Sequence, residues 1–77
     1  MKKKYEIYAE GFHVMEGTAH AHYVGDGYGE SFLDACKEYI ARTGIGEICV
    51  DERGREYACD WGCEWFPTLA EAAKSFG

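Results

Sequence analysis

The amino-acid sequence predicts a single small α+β domain with the element order ββαββα, an antiparallel sheet with two helices packed on one face. Two segments alternate apolar and polar residues as strands do, and two others carry helix caps followed by apolar residues at helical spacing. The chain has 77 residues, 47% of them hydrophobic, so it is too short for a second domain and too apolar for a disordered segment.

The first predicted hairpin occupies the N-terminal third of the chain. Residues 5–14 are rich in aromatic and β-prone side chains and predict a strand, in which Gly11 marks a bulge. Residues 18–24 alternate again, and Met15-Glu16-Gly17 is the predicted loop between the two strands. A glycine-rich stretch, residues 25–29, follows and is predicted to connect the hairpin to the first helix.

The first helix is predicted by signals at both of its ends. Ser31 and Asp34 form a capping box, and Gly44 stands where a left-handed residue would end the helix. The apolar residues between them follow the helical template and predict a buried face, which consists of Phe32, Ala35, Cys36, Tyr39 and Ile40.

A second hairpin is predicted around the turn sequence Asp51-Glu52-Arg53-Gly54. Residues 48–50 and 55–59 are its strands, and residues 61–66 extend or bend the second one. Counting both hairpins, the strand residues predicted to be buried are Ile7, Ala9, Ala21, Tyr23, Ile48 and Val50.

A short second helix follows Pro67, which breaks the preceding strand. Thr68 and Glu71 form its capping box, and its predicted apolar face consists of Leu69, Ala72, Ala73 and Phe76. The order hairpin–helix thus occurs twice, and the two helices match in their caps and apolar positions. A duplicated unit explains these matches, and so do two independent amphipathic helices.

Charge restricts the class of partner. The chain has eight basic and 14 acidic residues, but three of the basic ones are the lysines at positions 2 to 4, so the remainder has five bases against 14 acids, a net charge of −9. Such a surface repels phosphate and suits a basic groove on another protein, although acidity for solubility alone is the competing explanation. We divide the chain into a basic tail, residues 1–4, and one domain, residues 5–77.

The four cysteines, Cys36, Cys49, Cys59 and Cys63, leave three interpretations open. No secretory signal precedes them and no apolar run is long enough for a membrane span, which favours a cytoplasmic protein with reduced structural thiols and no cofactor. A disulfide and a metal site are the alternatives. If a metal is bound, the predicted ligands are Cys49, Cys59 and Cys63, and thiolates favour zinc.

Geometry sets a condition on that metal site. On an extended strand the Cα atoms of Cys59 and Cys63 would be about 13 Å apart, so they can share an ion only if Trp61-Gly62 forms a turn. His20 and His22 lie about 6.6 Å apart on one side of a predicted strand and are further, less favoured candidate ligands for that metal. A solvated polar face is the simpler explanation for these two histidines.

No pattern in the sequence predicts catalysis. Cysteines, histidines and carboxylates are present, but no local signature places a nucleophile beside a base. Residues 25–31 superficially resemble a phosphate loop, yet Asp26 and Glu30 would repel the anion and no P-loop lysine follows. We therefore expect a binding protein and not an enzyme.

Aromatic residues next to acids predict where a partner would bind. Trp61, Trp65, Phe66 and Tyr57 cluster in the sequence and are expected in the core, although an exposed Trp would be a binding anchor. The sheet face opposite the helices and the second hairpin supply the predicted partner-binding residues, which are Glu6, Tyr8, Glu10, Phe12, Asp51, Glu52 and Glu56.

The C-terminal sequence resembles a tail found in small uncharacterised proteins of bacteria and their phages, through Trp61-Gly62-Cys63-Glu64-Trp65-Phe66 and Glu71-Ala72-Ala73-Lys74-Ser75-Phe76-Gly77. In size and acidity the chain is also similar to phage anti-CRISPR proteins. That resemblance implies an inhibitor of a larger basic protein, a nucleic-acid-binding effector such as a CRISPR nuclease. The early strand–strand–helix order is similar to HicB-type antitoxins and implies instead an antitoxin-like or regulatory interaction module. In that alternative, zinc bound by the cysteines would stabilise the module.

Overall fold

The computed structural model describes residues 2–14 and 17–75. Its elements in chain order are β1 (Lys3–Ala9), β2 (Phe12–Val14), β3 (Gly17–Ala19), β4 (His22–Gly29), α1 (Phe32–Thr43), β5 (Glu47–Val50), β6 (Glu56–Asp60), β7 (Cys63–Phe66) and α2 (Leu69–Ser75). The α+β class is confirmed. The order ββαββα is not, because the described residues form four strands before α1 and three between the helices.

The main sheet has five strands in the order β4-β1-β7-β6-β5, and its neighbouring strands are antiparallel. β7 pairs with β1 through Tyr8–Phe66 and Ala9–Trp65, which joins the two halves of the chain in one sheet. β2 and β3 form a separate two-stranded sheet, in which Val14 pairs with Gly17.

The predicted limits of the first two strands are therefore wrong. Residues 5–14 divide between β1 and β2, and residues 18–24 divide between β3 and β4. The register gives the reason: pairing of β1 in the main sheet ends at Ala9, opposite His22 and Trp65, and Phe12–Val14 pairs instead with Gly17–Ala19. Residues 15 and 16 of the predicted loop lie outside the described residues.

The glycine-rich stretch is part of β4 and not the connection predicted from the sequence. Three of its glycines face α1, and a Cβ on Gly25 would come within 2.6 Å of the Tyr39 ring. A Cβ on Gly29 would lie 2.6 Å from the Ala35 nitrogen, and one on Gly27 would overlap the Ala35 carbonyl oxygen. The glycines are thus required because the helix backbone lies directly against the strand.

One register shift decides which residues of β4 face the core. Ile7 of β1 pairs with Gly25. The next residue, Tyr8, pairs with Tyr23, so Val24 is left as a bulge. Val24 packs against the core whereas Tyr23 is 51% exposed, which makes the prediction of a buried Tyr23 wrong.

The buried core lies between α1 and one side of the sheet, which we call the α1 face. Its members are Ile7, Ala9, Cys36, Tyr39, Ala58, Cys63 and Trp65, with Phe32, Ile40 and Ile48 partly buried against them. Ala35 and Ala72 are also buried, as predicted, and Ala21 is half-buried. Val50, at the end of edge strand β5, and Leu69, at the start of α2, are exposed and contradict the prediction. Phe76 lies outside the described residues.

Both helices begin at their predicted capping boxes, and α1 ends at its predicted glycine. The Ser31 hydroxyl accepts the Asp34 N–H at 3.2 Å, and Gly44 ends α1 with φ 74° while its N–H donates to the Ile40 carbonyl. In α2, the Thr68 hydroxyl oxygen accepts the Glu71 N–H at 3.2 Å. The caps determine where each helix begins, but they do not determine which strands it packs against.

The second helix does not share the core of the first. α1 packs chiefly on β4, β1 and β6, whereas α2 packs on β7, β1 and β4. The buried cluster on the α1 face contains α1 residues but no α2 residue, and the buried Ala72 lies outside it. The predicted layout, an antiparallel sheet with two helices packed on one face, is therefore not exact.

Candidate functional site

The turn between β6 and β7 exposes a tryptophan to solvent. Asp60 pairs with Cys63, so Trp61 and Gly62 form a two-residue turn with φ of 54° and 79°, the signs of a type I′ turn. Among the described residues Trp61 is the one non-glycine with positive φ, and its side chain is 95% exposed. Trp65, four residues on, is 2% exposed and packs in the core.

Trp61 borders a cleft of about 340 Å³ beside the end of α1. Tyr23 and Ile45, both about half exposed, line this cleft together with Trp61. Its deeper part is formed by core residues, which include Val24, Tyr39 and Trp65, and Asp60 adds a carboxylate. We call this the Trp61 cleft, a mostly apolar and aromatic surface next to an acid.

Two tyrosine–carboxylate pairs lie on the side of the sheet opposite the α1 face, which we call the outer face. The Tyr8 hydroxyl donates to Glu6 at 3.1 Å, and the Tyr23 hydroxyl donates to Asp26 at 2.6 Å. The two rings meet edge to face at 5.5 Å. The structure therefore places the predicted residues Glu6 and Tyr8 together and adds Tyr23 and Asp26, which the sequence reasoning missed.

These hydrogen bonds hold the phenols in their protonated form. The bond to Asp26 is the main cause that raises the pKa of Tyr23 from 10.0 to about 12. The bond to Glu6 likewise raises the pKa of Tyr8. Lys4 lies 3.9 Å from the Asp26 carboxylate, so one lysine of the predicted basic tail is engaged with the acidic sheet.

Glu10 has a structural contact instead of a free carboxylate. Its Oε2 accepts the Glu64 N–H at 3.1 Å, and its Oε1 accepts the Ser75 hydroxyl at 2.8 Å. Glu10 thereby ties β7 and α2 to the end of β1. The side chain of Phe12, also predicted to bind a partner, lies outside the described residues.

In the second hairpin one predicted acidic residue stabilises the turn, and the other two are exposed. Asp51 Oδ1 accepts the N–H groups of Arg53 and Arg55, both at 2.9 Å, and its Oδ2 pairs with the Arg55 side chain at 3.0 Å. The backbone N–H of Arg55 is the main cause that lowers the pKa of Asp51. Glu52 and Glu56 are exposed, so they are the two residues of the predicted set here that are available to a partner.

Two of the three predicted metal ligands come together, and the third does not. Glu47 pairs with Cys59 across β5 and β6, and Cys49 is two residues along on the same side. The Cys49 and Cys59 sulfur atoms lie 3.7 and 3.8 Å from Glu47 Oε1, and the three ligand atoms are all within 4.8 Å of one another. Burial is the main cause that raises the pKa of Cys59 to about 12, and the neighbouring Cys49 and Glu47 also contribute.

The other predicted ligands point elsewhere. The turn at Trp61-Gly62 exists, but it pairs Cys63 with Asp60 and directs Cys63 into the core, on the opposite side of the sheet from Cys59. The imidazole of His22 lies 3.2 Å from the His20 carbonyl, at the β4 edge of the sheet, whereas β5 is the other edge. Glu47 was not predicted, although its spacing from Cys49 places both on one side of a strand.

Comparison of the chain with protein-family models, with curated proteins and with solved structures finds no match. Neither helix in the described ranges, 2–14 and 17–75, has the length and apolar character needed to cross a bilayer.

Proposed function

We propose that this chain is a small acidic inhibitor that binds a basic surface of a larger protein, with Trp61 as its anchor. The exposed indole at the β6–β7 turn carries the proposal. A type I′ turn favours Asn-Gly, so a bulky residue in the left-handed conformation raises the free energy of the turn by about 1 kcal/mol. Burial of the indole in a partner recovers this cost, because Trp is among the residues that contribute most to binding energy.

Charge supports a basic partner. Glu6, Glu52 and Glu56 are exposed, and the chain beyond its three N-terminal lysines has 14 acids against five bases. Opposite charge on the partner would accelerate association, and added salt would slow it. Asp60 beside the Trp61 cleft places a carboxylate next to the apolar anchor.

The partner that fits this chemistry is a nucleic-acid-binding effector, such as a CRISPR nuclease. A groove that binds phosphates is lined with Lys and Arg, and an acidic domain seated in it would exclude the nucleic acid. The domain acts by binding and not by catalysis, in the cytoplasm of the host cell, as expected of a phage- or mobile-element-encoded protein. The alternative, a regulator that itself contacts nucleic acid, has less support because Lys4 is engaged with Asp26.

The decisive variant is Trp61→Asn. It creates the favoured Asn-Gly turn, so the domain should remain folded with an unchanged or higher Tm, while capture of the basic effector should weaken by about 30-fold or more. The matched control is Leu69→Ala, which removes another exposed apolar side chain, 49% exposed, and should leave capture unchanged. Immobilised wild type and variants are incubated with bacterial lysate, and the affinity of the recovered protein is then measured with purified components.

Charge reversal tests the electrostatic part separately. Glu52→Lys with Glu56→Lys should slow association by about 10-fold and reduce its salt dependence. Asp51 is left intact because it holds the turn. Equal capture by wild type and Trp61→Asn, or retention of the chain on DNA or RNA at physiological salt, would contradict the proposal.

A further inference from the structure

Two thiols and a carboxylate converge on the outer face of the β5–β6 hairpin. We propose that Glu47, Cys49 and Cys59 form a site for one zinc ion, with the fourth position open to water or another ligand. The site is independent of the proposed inhibitor function, because it lies on different residues from the Trp61 cleft. It also differs from the site predicted from the sequence, since Glu47 replaces Cys63.

The distances between the ligand atoms fit a tetrahedral ion. Zinc binds sulfur at about 2.3 Å and carboxylate oxygen at about 2.0–2.2 Å, which places tetrahedral sulfur and oxygen ligands about 3.6 Å apart. The Glu47 Oε1 atom is 3.7 Å from the Cys49 sulfur and 3.8 Å from the Cys59 sulfur. The ligands therefore need only small side-chain adjustments to hold the ion.

The strand register opposes a disulfide between the two thiols. Cys49 pairs directly with Tyr57, and Cys59 pairs directly with Glu47, so the two cysteines are diagonal neighbours. Diagonal positions on an antiparallel pair are about 7–8 Å apart, beyond the usual Cα separation of about 4.4–6.8 Å in a disulfide. The cysteines are free in the structure and remain available as ligands.

The hairpin holds its ligands in place and leaves a route for the ion. Asp51 fixes the turn that joins the two strands through its bonds to Arg53 and Arg55. Cys59 is buried, Cys49 is half-buried and Glu47 is exposed, so one side of the site is open to solvent. Binding exchanges thiol protons for the metal, and any protons released pass to solvent while no group is oxidised or reduced.

Metal titration of the full chain tests the site. Reduced, chelator-treated protein is titrated with Co²⁺, and then with Zn²⁺. We expect one Co²⁺ per chain with a thiolate-to-metal charge-transfer band, which Zn²⁺ then removes. Zinc at about 100 times its dissociation constant should raise the Tm by about 10–20 °C, and EDTA should reverse the change.

Matched variants assign the ligands. Cys49→Ser and Glu47→Gln should each weaken zinc binding by more than the roughly 10–100-fold that loss of an outer-sphere partner costs. Cys63→Ser and Glu56→Gln change the same residue types outside the site and should bind zinc as wild type does. Because Glu47 and Glu56 are both exposed, that pair remains informative even if a cysteine variant fails to fold.

Three results would overturn the proposal. The first is substoichiometric metal without a charge-transfer band in the wild type. The second is a wild-type Tm that zinc and EDTA leave unchanged. The third is loss of zinc binding in Cys63→Ser with retention in Cys49→Ser, which would favour the ligand set predicted from the sequence.

Discussion

The α1 face and the outer face of the same five-stranded sheet carry different chemistry. The α1 face holds the apolar core and the glycines of β4 that admit the helix backbone. The outer face carries the tyrosine–carboxylate pairs and the Glu47, Cys49 and Cys59 cluster. Because strand residues alternate between faces, each strand contributes to both, and adjacent residues have opposite roles.

The two faces of the sheet differ in how well they tolerate substitutions without loss of the fold. Ile7 and Cys36 are fully buried, and the described residues include no buried polar or charged side chain. On the outer face Tyr23 is half exposed and its hydrogen bond is open to water. Substitutions on the α1 face should therefore act on stability, whereas those at exposed positions of the outer face should act mainly on binding and titration.

The largest expected effect is that of Cys36→Asp. Its side chain has no exposure, so the variant places a charge in an apolar core, at a cost above about 4 kcal/mol. A domain of this length has a free energy of unfolding of about 4–12 kcal/mol, and we expect the variant to be unfolded by circular dichroism. Cys36→Ala, the control, should fold with a modestly lower Tm. A folded Cys36→Asp with the wild-type Tm would show that this face of α1 is not buried.

Gly27→Ala should have the next largest effect. The added Cβ would overlap the Ala35 carbonyl oxygen, and backbone cannot move aside as a flexible side chain can. Overpacking of this kind costs about 1–3 kcal/mol, which lowers the Tm by several degrees. The control, Tyr28→Ala, changes the next residue of β4, which is 45% exposed. It should lower the Tm much less than Gly27→Ala does. Equal effects of the two variants would contradict the difference between the faces.

Local signals in the sequence were sufficient for the helices. The Ser31 and Thr68 caps and the left-handed Gly44 act within one turn of chain, so the residues alone identify them. The pairing of β7 with β1 places Phe66 opposite Tyr8. Because these residues are far apart in the sequence, no local pattern predicts the contact. The path of β4 through Gly25 and Gly27 was missed because glycine disfavours strands unless another backbone approaches closely.

In the candidate sites too, the local turn was predictable from the sequence and the positions that depend on strand register were not. The hairpin turn at Asp51 was predicted, and it places Cys49 and Cys59 on one side of two paired strands. The turn at Trp61 is the condition on which a metal site with both Cys59 and Cys63 depends. It exists, but a two-residue turn pairs Cys63 with Asp60 and so directs Cys63 away from Cys59. Similarly, the bulge at Val24 turned Tyr23 outward, which no alternation pattern could predict.

The smallest effect concerns Tyr23 on the outer face, and alkaline pH isolates it. The hydrogen bond to Asp26 raises the pKa of Tyr23 from 10.0 to about 12 in the folded protein. A group whose pKa is raised by folding stabilises the fold below its unfolded pKa, so this contribution is complete below pH 10 and is lost as pH rises toward 12. The difference between the near-ultraviolet titration curves of wild type and Tyr23→Phe gives the pKa of this one phenol. Asp26→Asn removes the acceptor charge and should shift that pKa back toward 10, with little change in Tm at neutral pH. If Tyr23 instead ionises near pH 10 in the wild type, the hydrogen-bonded pair does not persist in solution.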